Sequence, residues 1–127
     1  MTEDKTIYTR LLSVGEVEAV INGLPDLLWS LAGDCILTAE YGTECNIHND
    51  LQYVPMQVGI RWVYRFLAES REHRIFVPAK SDLSLTTPNG GLTILLCHES
   101  DIHLTGADEA LIERACQSDL LRPLLRP

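Results

Sequence analysis

The chain has 127 residues, enough for one sizeable core and too few for two comfortable domains, so residues 1–127 are read as a single domain. Apolar residues make up 46% and charged residues 22%, which excludes a disordered or low-complexity chain. Eighteen acidic against ten basic side chains give a net charge of -8, a field that disfavours direct contact with nucleic acid or an anionic membrane and speeds encounter with a basic protein.

The first ten residues have neither the basic start nor the apolar stretch of a signal peptide, and no apolar run is long enough to span a bilayer. The cytoplasm is the expected compartment. Cys35, Cys45, Cys97 and Cys116 form no C-x-x-C pair and no dense framework, so reduced thiols are expected. Cys35, Cys97 and Cys116 lie among apolar neighbours and read as small core hydrophobes.

The S-x-x-E pattern of Ser13 and Glu16 is a capping box, and Val17, Val20, Ile21 and Leu24 follow at helical spacing. Gly23 and Pro25 predict a break, with a second short helix carrying Leu27, Leu28 and Leu31; one kinked helix is the alternative. Residues 35–41 are rich in strand formers. Residues 41–52 lack a period and read as a long loop, a kind that is more often functional than a short one. Residues 55–70 predict the main helix, with Met56, Ile60, Val63 and Leu67 on one stripe and Trp62 and Phe66 widening it. A short strand is expected at 75–77.

Residues 82–86 alternate, 88–91 supply turn residues, and 92–96 are strand formers, which together predict a β-hairpin. The second arm is apolar at nearly every position, so it is expected to be central and covered on both faces. A last helix is expected from the Thr105 to Asp108 start to about Gln117, with Leu111, Ile112 and Ala115 as its apolar stripe. The fold class is therefore α+β: a small, mainly antiparallel sheet centred on this hairpin, packed against helices in two layers.

The densest chemistry lies in Cys97-His98-Glu99-Ser100-Asp101-Ile102-His103. If the hairpin arm stays extended there, Glu99, Asp101 and His103 share one face, close enough for Asp101 to orient the imidazole or for both to hold one ion. A C-x-x-H pair, Cys45 and His48, sits on the long loop, so Cys45, His48, His98, Asp101 and His103 are candidate zinc ligands. Cys97 with the adjacent His98 fails as a nucleophile and base, since sequential strand residues point to opposite faces. No phosphate-loop, dinucleotide, zincin or serine-hydrolase motif occurs.

Two functions follow. The leading one is a non-enzymatic protein-interaction module, of the acidic inhibitor or immunity type, that binds a basic partner enzyme and needs no cofactor. Its surface would combine Glu44 and Asp50 of the loop with Glu99, Asp101 and His103. The alternative is a small metal-binding domain or metal-dependent hydrolase using the histidine and carboxylate cluster, with zinc as its cofactor. Homodimer formation through a hairpin edge or the apolar tail at 120–125 is a further expectation.

Overall fold

A computed structural model describes residues 6–42 and 52–126. Chain order is β1 (Ile7–Tyr8), α1 (Val14–Ala32), β2 (Ile36–Tyr41), β3 (Met56–Gly59), α2 (Val63–Glu72), β4 (Leu83–Thr86), β5 (Thr93–Leu96), β6 (Ile102–Thr105) and α3 (Glu109–Cys116). The strands form one antiparallel sheet in the order β1-β6-β5-β4-β2-β3. This is the α+β fold expected, with the hairpin β4–β5 at its centre. No helix among the described residues is long and apolar enough to cross a membrane.

Helix α1 opens on the predicted box: the Ser13 hydroxyl accepts from the Glu16 amide at 3.1 Å, and the Glu16 carboxylate accepts from the Ser13 amide at 3.0 Å. The helix does not break at Gly23 or Pro25. Proline forfeits one ladder bond at a cost of about 3 kcal/mol, but Leu27, Leu28 and Leu31 beyond it continue the stripe of Val17, Val20, Ile21 and Leu24, all buried. Each such side chain stabilises by roughly 1.5–3 kcal/mol, so burial wins. Gly23 serves another purpose: a Cβ there would meet Leu120 Cδ1 at 2.7 Å, so the glycine admits the C-terminal segment. The helix ends at Gly33, with φ of 69°, whose amide donates to the Trp29 carbonyl at 2.8 Å.

The main helix expected at 55–70 is shorter. Met56–Gly59 is instead the edge strand β3, paired with β2 from Ile36↔Gly59 to Ala39↔Met56. Met56, Val58 and Ile60 alternate as well as a helix stripe repeats, and pairing with β2 decides between the two periods. A 3-10 turn at Ile60–Trp62 then leads into α2. The strand expected at 75–77 is absent: Ile75 and Phe76 both donate backbone bonds to the Ser70 carbonyl, and the Phe76 ring enters the core. The predicted α3 is present, capped by Asp108, which accepts from the Leu111 amide at 3.1 Å.

All three helices cover one face. Leu37, Ala39, Leu83, Leu85, Ile94, Leu96, Ile102 and Leu104 meet α1 and its neighbours there. The opposite face carries cross-strand rows of Tyr8, His103, Leu95, Ser84 and Glu40, and of Thr105, Thr93, Thr86, Thr38 and Gln57. Strand β5 is central, but no described element covers its second face, where Leu95 stays partly exposed. The hairpin is not an edge, since β4 and β5 are flanked by β2 and β6, and in the apolar tail Leu121 is fully buried while Leu120, Leu124 and Leu125 are partly buried against the core.

Candidate functional site

The polar cluster is built by the β5–β6 turn. The arm does not stay extended through it: Ser100 adopts φ of 68°, the Ser100 amide donates to the Cys97 carbonyl at 3.2 Å, and the Cys97 amide donates to the Asp101 carbonyl at 3.0 Å. Alternation from Leu96, which faces the core, turns Cys97 to the opposite face. Cys97 is only 8% exposed, buried as expected of a small hydrophobe, but it stands apart from the main apolar cluster. Its actual neighbours are ligating groups. One donor atom each from Cys97, Asp101 and His103 lie within 4.8 Å of one another, and so do those of Asp82, Cys97 and His98.

Asp101, just before β6, and His103 within it stand side by side as expected of positions two apart, and His103 Nε2 lies 3.1 Å from Asp101 Oδ2. Arg126 approaches the same oxygen at 3.6 Å, donates from Nε to the Thr9 carbonyl at 3.0 Å and lies over the Tyr8 ring, 4.9 Å from its centroid. The Tyr8 ring meets the His103 ring edge-on at 4.6 Å. Asp101 Oδ1 is buried and has no hydrogen-bond partner. On the other side of the sulfur, Asp82 Oδ1 accepts from the His98 amide at 2.7 Å and from His98 Nδ1 at 2.8 Å, which puts a proton on Nδ1. Burial pushes the Cys97 thiol up to about 11, with the Asp101 and Asp82 carboxylates adding to the shift, so the sulfur is protonated near neutral pH.

No family model, curated protein or solved structure matches this chain.

The expected site residues divide accordingly. Glu44, Cys45, His48 and Asp50 lie outside the described residues. Glu99 projects from the turn into solvent, with one oxygen 3.7 Å from His98 Nε2. Asp101, expected to face a partner, is only 5% exposed, with His103 and Arg126 between it and the surface. His103 lines a hollow of about 390 Å³ on the uncovered sheet face, together with Tyr8, Glu40, Tyr53, Asp82 and Leu95. His98 and His103 belong to different donor sets joined by Cys97.

Cys97 and Asp82 were the residues the sequence reading left out of the site. A signal for both exists in the hairpin. The pairs Thr86↔Thr93 and Leu83↔Leu96 fix its register, and one step further sets Asp82 opposite Cys97.

A second feature lies where α1 ends and β2 begins. Both tryptophans of the chain are surface residues: Trp62 is 62% exposed and Trp29 46%. Arg61, the residue before Trp62, sets its guanidinium 5.7 Å from the centre of the Trp29 ring and 3.1 Å from Asp34 Oδ2. Ile36, 58% exposed, pairs with Gly59, and a Cβ on Gly59 would stand 3.4 Å from the Trp62 indole. The expectation that Trp62 widens a buried helical stripe is thus corrected: it falls on the 3-10 turn before α2 and points away from the core.

Proposed function

We propose that this chain is a non-enzymatic protein-interaction module that engages a basic protein through the surface formed by Trp29, Ile36, Arg61 and Trp62. One observation carries the reading: the chain leaves both of its tryptophans in water, beside an arginine and next to the edge strand β3. Tryptophan and arginine dominate binding hot spots because a large flat group desolvated in a partner's pocket returns more free energy than most contacts. The net charge of -8 supports a basic partner, which long-range attraction would bring in faster. An inhibitor or immunity-type protein acting on a basic enzyme has these properties. Against chemistry stands the Cys97 sulfur, which is protonated near neutral pH and so offers no ready nucleophile.

Glu99 remains a contact candidate at the other end of the sheet, whereas the burial of Asp101 removes it from a direct role. The test is affinity capture of a partner followed by titration of that isolated partner against variants. Trp62→Ala should raise Kd by at least about 30-fold, the effect of losing roughly 2 kcal/mol at a hot spot. Association should slow as salt rises. A partner whose affinity ignores both Trp29→Ala and Trp62→Ala, and whose association rate ignores salt, would sink the proposal.

A further inference from the structure

We propose that Cys97, Asp101 and His103 form a binding site for one divalent transition-metal ion, zinc by the character of its donors. A sulfur, an imidazole nitrogen and a carboxylate oxygen are the set that borderline-soft zinc takes, and three protein donors leave a fourth position for water. The site differs from one assembled from Cys45, His48 and His98, because it is confined to strands β5 and β6 and the turn between them.

The geometry is close to what an ion requires. Bonds of about 2.0–2.3 Å around a tetrahedral ion hold neighbouring ligand atoms roughly 3.3–3.8 Å apart. The His103 nitrogen already stands 3.1 Å from Asp101 Oδ2, which brings the carboxylate and its other oxygen, Oδ1, beside the ring, and one donor atom from each of the three residues falls within 4.8 Å of the others. Adjustments of about an ångström close the set. The backbone beneath is held by the Cys97 amide on the Asp101 carbonyl and by the β5–β6 ladder, so the donors are brought together before any ion arrives.

A second observation points the same way. Asp101 Oδ1 is buried without a hydrogen-bond partner, an arrangement that costs about 1–3 kcal/mol, and more for a charged group. A cation at this oxygen would relieve that cost. The Arg126 guanidinium opposes a cation, but it is held on the Thr9 carbonyl and the Tyr8 ring and stands 3.6 Å from Oδ2 rather than on Oδ1. Access runs through His103 from the hollow that it lines with Glu40 and Asp82, whose carboxylates draw cations in. On binding, the thiol gives its proton to solvent and the imidazole ligates as the neutral ring.

The other set, Asp82, Cys97 and His98, is the weaker one. There the Asp82 oxygen and His98 Nδ1 are already committed to each other at 2.8 Å, and the same oxygen takes the His98 amide. That pair flanks the sulfur from outside, with His98 Nδ1 3.9 Å from Cys97 Sγ.

The test is a titration of reduced, metal-free full-length protein with cobalt(II), whose spectrum reports both ligand type and geometry. The expected result is one cobalt per chain, a sulfur-to-cobalt charge-transfer band, a tetrahedral visible spectrum, and displacement of both by zinc. Cys97→Ser should abolish the charge-transfer band, and Asp101→Asn and His103→Gln should each weaken binding by more than about 100-fold, beyond what loss of an outer partner costs. Cys35→Ser, Cys45→Ser and Cys116→Ser should leave the band in place. A wild-type chain that takes up no cobalt at micromolar ion overturns the proposal without any variant. A band that persists in a folded Cys97→Ser protein overturns it equally.

Discussion

The two ends of the sheet invert the usual rule in opposite senses. At the β5–β6 turn a thiol and a carboxylate are buried beside a partly exposed imidazole, Cys97 at 8% and Asp101 at 5% exposure. At the far end, where α1 gives way to β2, two indoles and an isoleucine are left to water. Neither arrangement follows from the needs of the core, which lies between them on the helix-covered face. A polar group is held inside only where other groups answer it, and a large apolar group is left outside at no benefit to folding. The first end is therefore expected to respond to substitution through stability, and the second through binding.

The largest effect expected is at Leu104, fully buried on β6 behind His103. Leu104→Ala should destabilise by about 2–5 kcal/mol, from lost transfer energy plus the cavity left behind. Chemical denaturation checks this. A value under about 1 kcal/mol would mean that the sheet does not carry the core as described.

Next is Thr9, buried between the chain's two extremities. Its hydroxyl oxygen accepts from the Ile102 amide at 3.0 Å and donates to the Arg10 carbonyl at 2.8 Å, while its own amide bonds the Ile102 carbonyl at 3.0 Å. Thr9→Val keeps shape and removes the acceptor, leaving a buried amide unanswered at a cost of about 1–3 kcal/mol. Amide exchange at Ile102 should quicken more than at Leu37, and equal change at both would deny a local role for the hydroxyl.

Helix α1 joins the two ends, since the Leu12 amide preceding its cap bonds the Ser100 carbonyl at 2.8 Å and its last turn carries Trp29. Ser13→Ala should cost about 1 kcal/mol. Acid should loosen the same end. The Glu16 carboxyl is held down to about 2, chiefly by its hydrogen bond with Arg10 and then by the Ser13 amide. Its stabilisation is complete above the ordinary value of 4.5 and fades as pH falls from there towards 2. Amide exchange in the first turn of α1 should accelerate across that window, and Glu16→Gln should remove the dependence. A first turn whose protection is flat from pH 5 to pH 2, the range set by that depressed carboxyl, would contradict the linkage.

How much of this was legible beforehand differs from element to element. The capping box, the hairpin and the last helix were, because each rests on residues adjacent in sequence: Ser13 with Glu16, Pro88 to Gly91 between alternating arms, Asp108 before an apolar stripe. The strand β3 was hidden because Met56 and Ile60 satisfy both periods, and only a partner strand can choose. Strand β1 was invisible because its two residues are defined by Leu104 and His103, nearly a hundred positions away. At the site, the Asp101–His103 pairing was legible from spacing alone. The membership of Cys97 was masked by its apolar neighbours, since the face it takes depends on where the core lies. The aromatic surface was misread for the same reason as β3: once the helix begins at Val63 rather than near Pro55, Trp62 is released from the stripe.

The smallest effect on stability is expected at Trp62, and its smallness is informative. With 62% of the residue in water and no hydrogen bond from its indole among the described residues, Trp62→Ala should change folding free energy by no more than about 0.5 kcal/mol. Trp29→Ala removes the surface over which Arg61 lies, but the Arg61–Asp34 pair is itself exposed, so a similarly small change is expected. Both indoles should be readily quenched by acrylamide in the native protein, and partner binding should protect them. If either substitution instead costs more than about 2 kcal/mol, the indole is serving the fold. The contrast between the two ends would then collapse into a single account of packing.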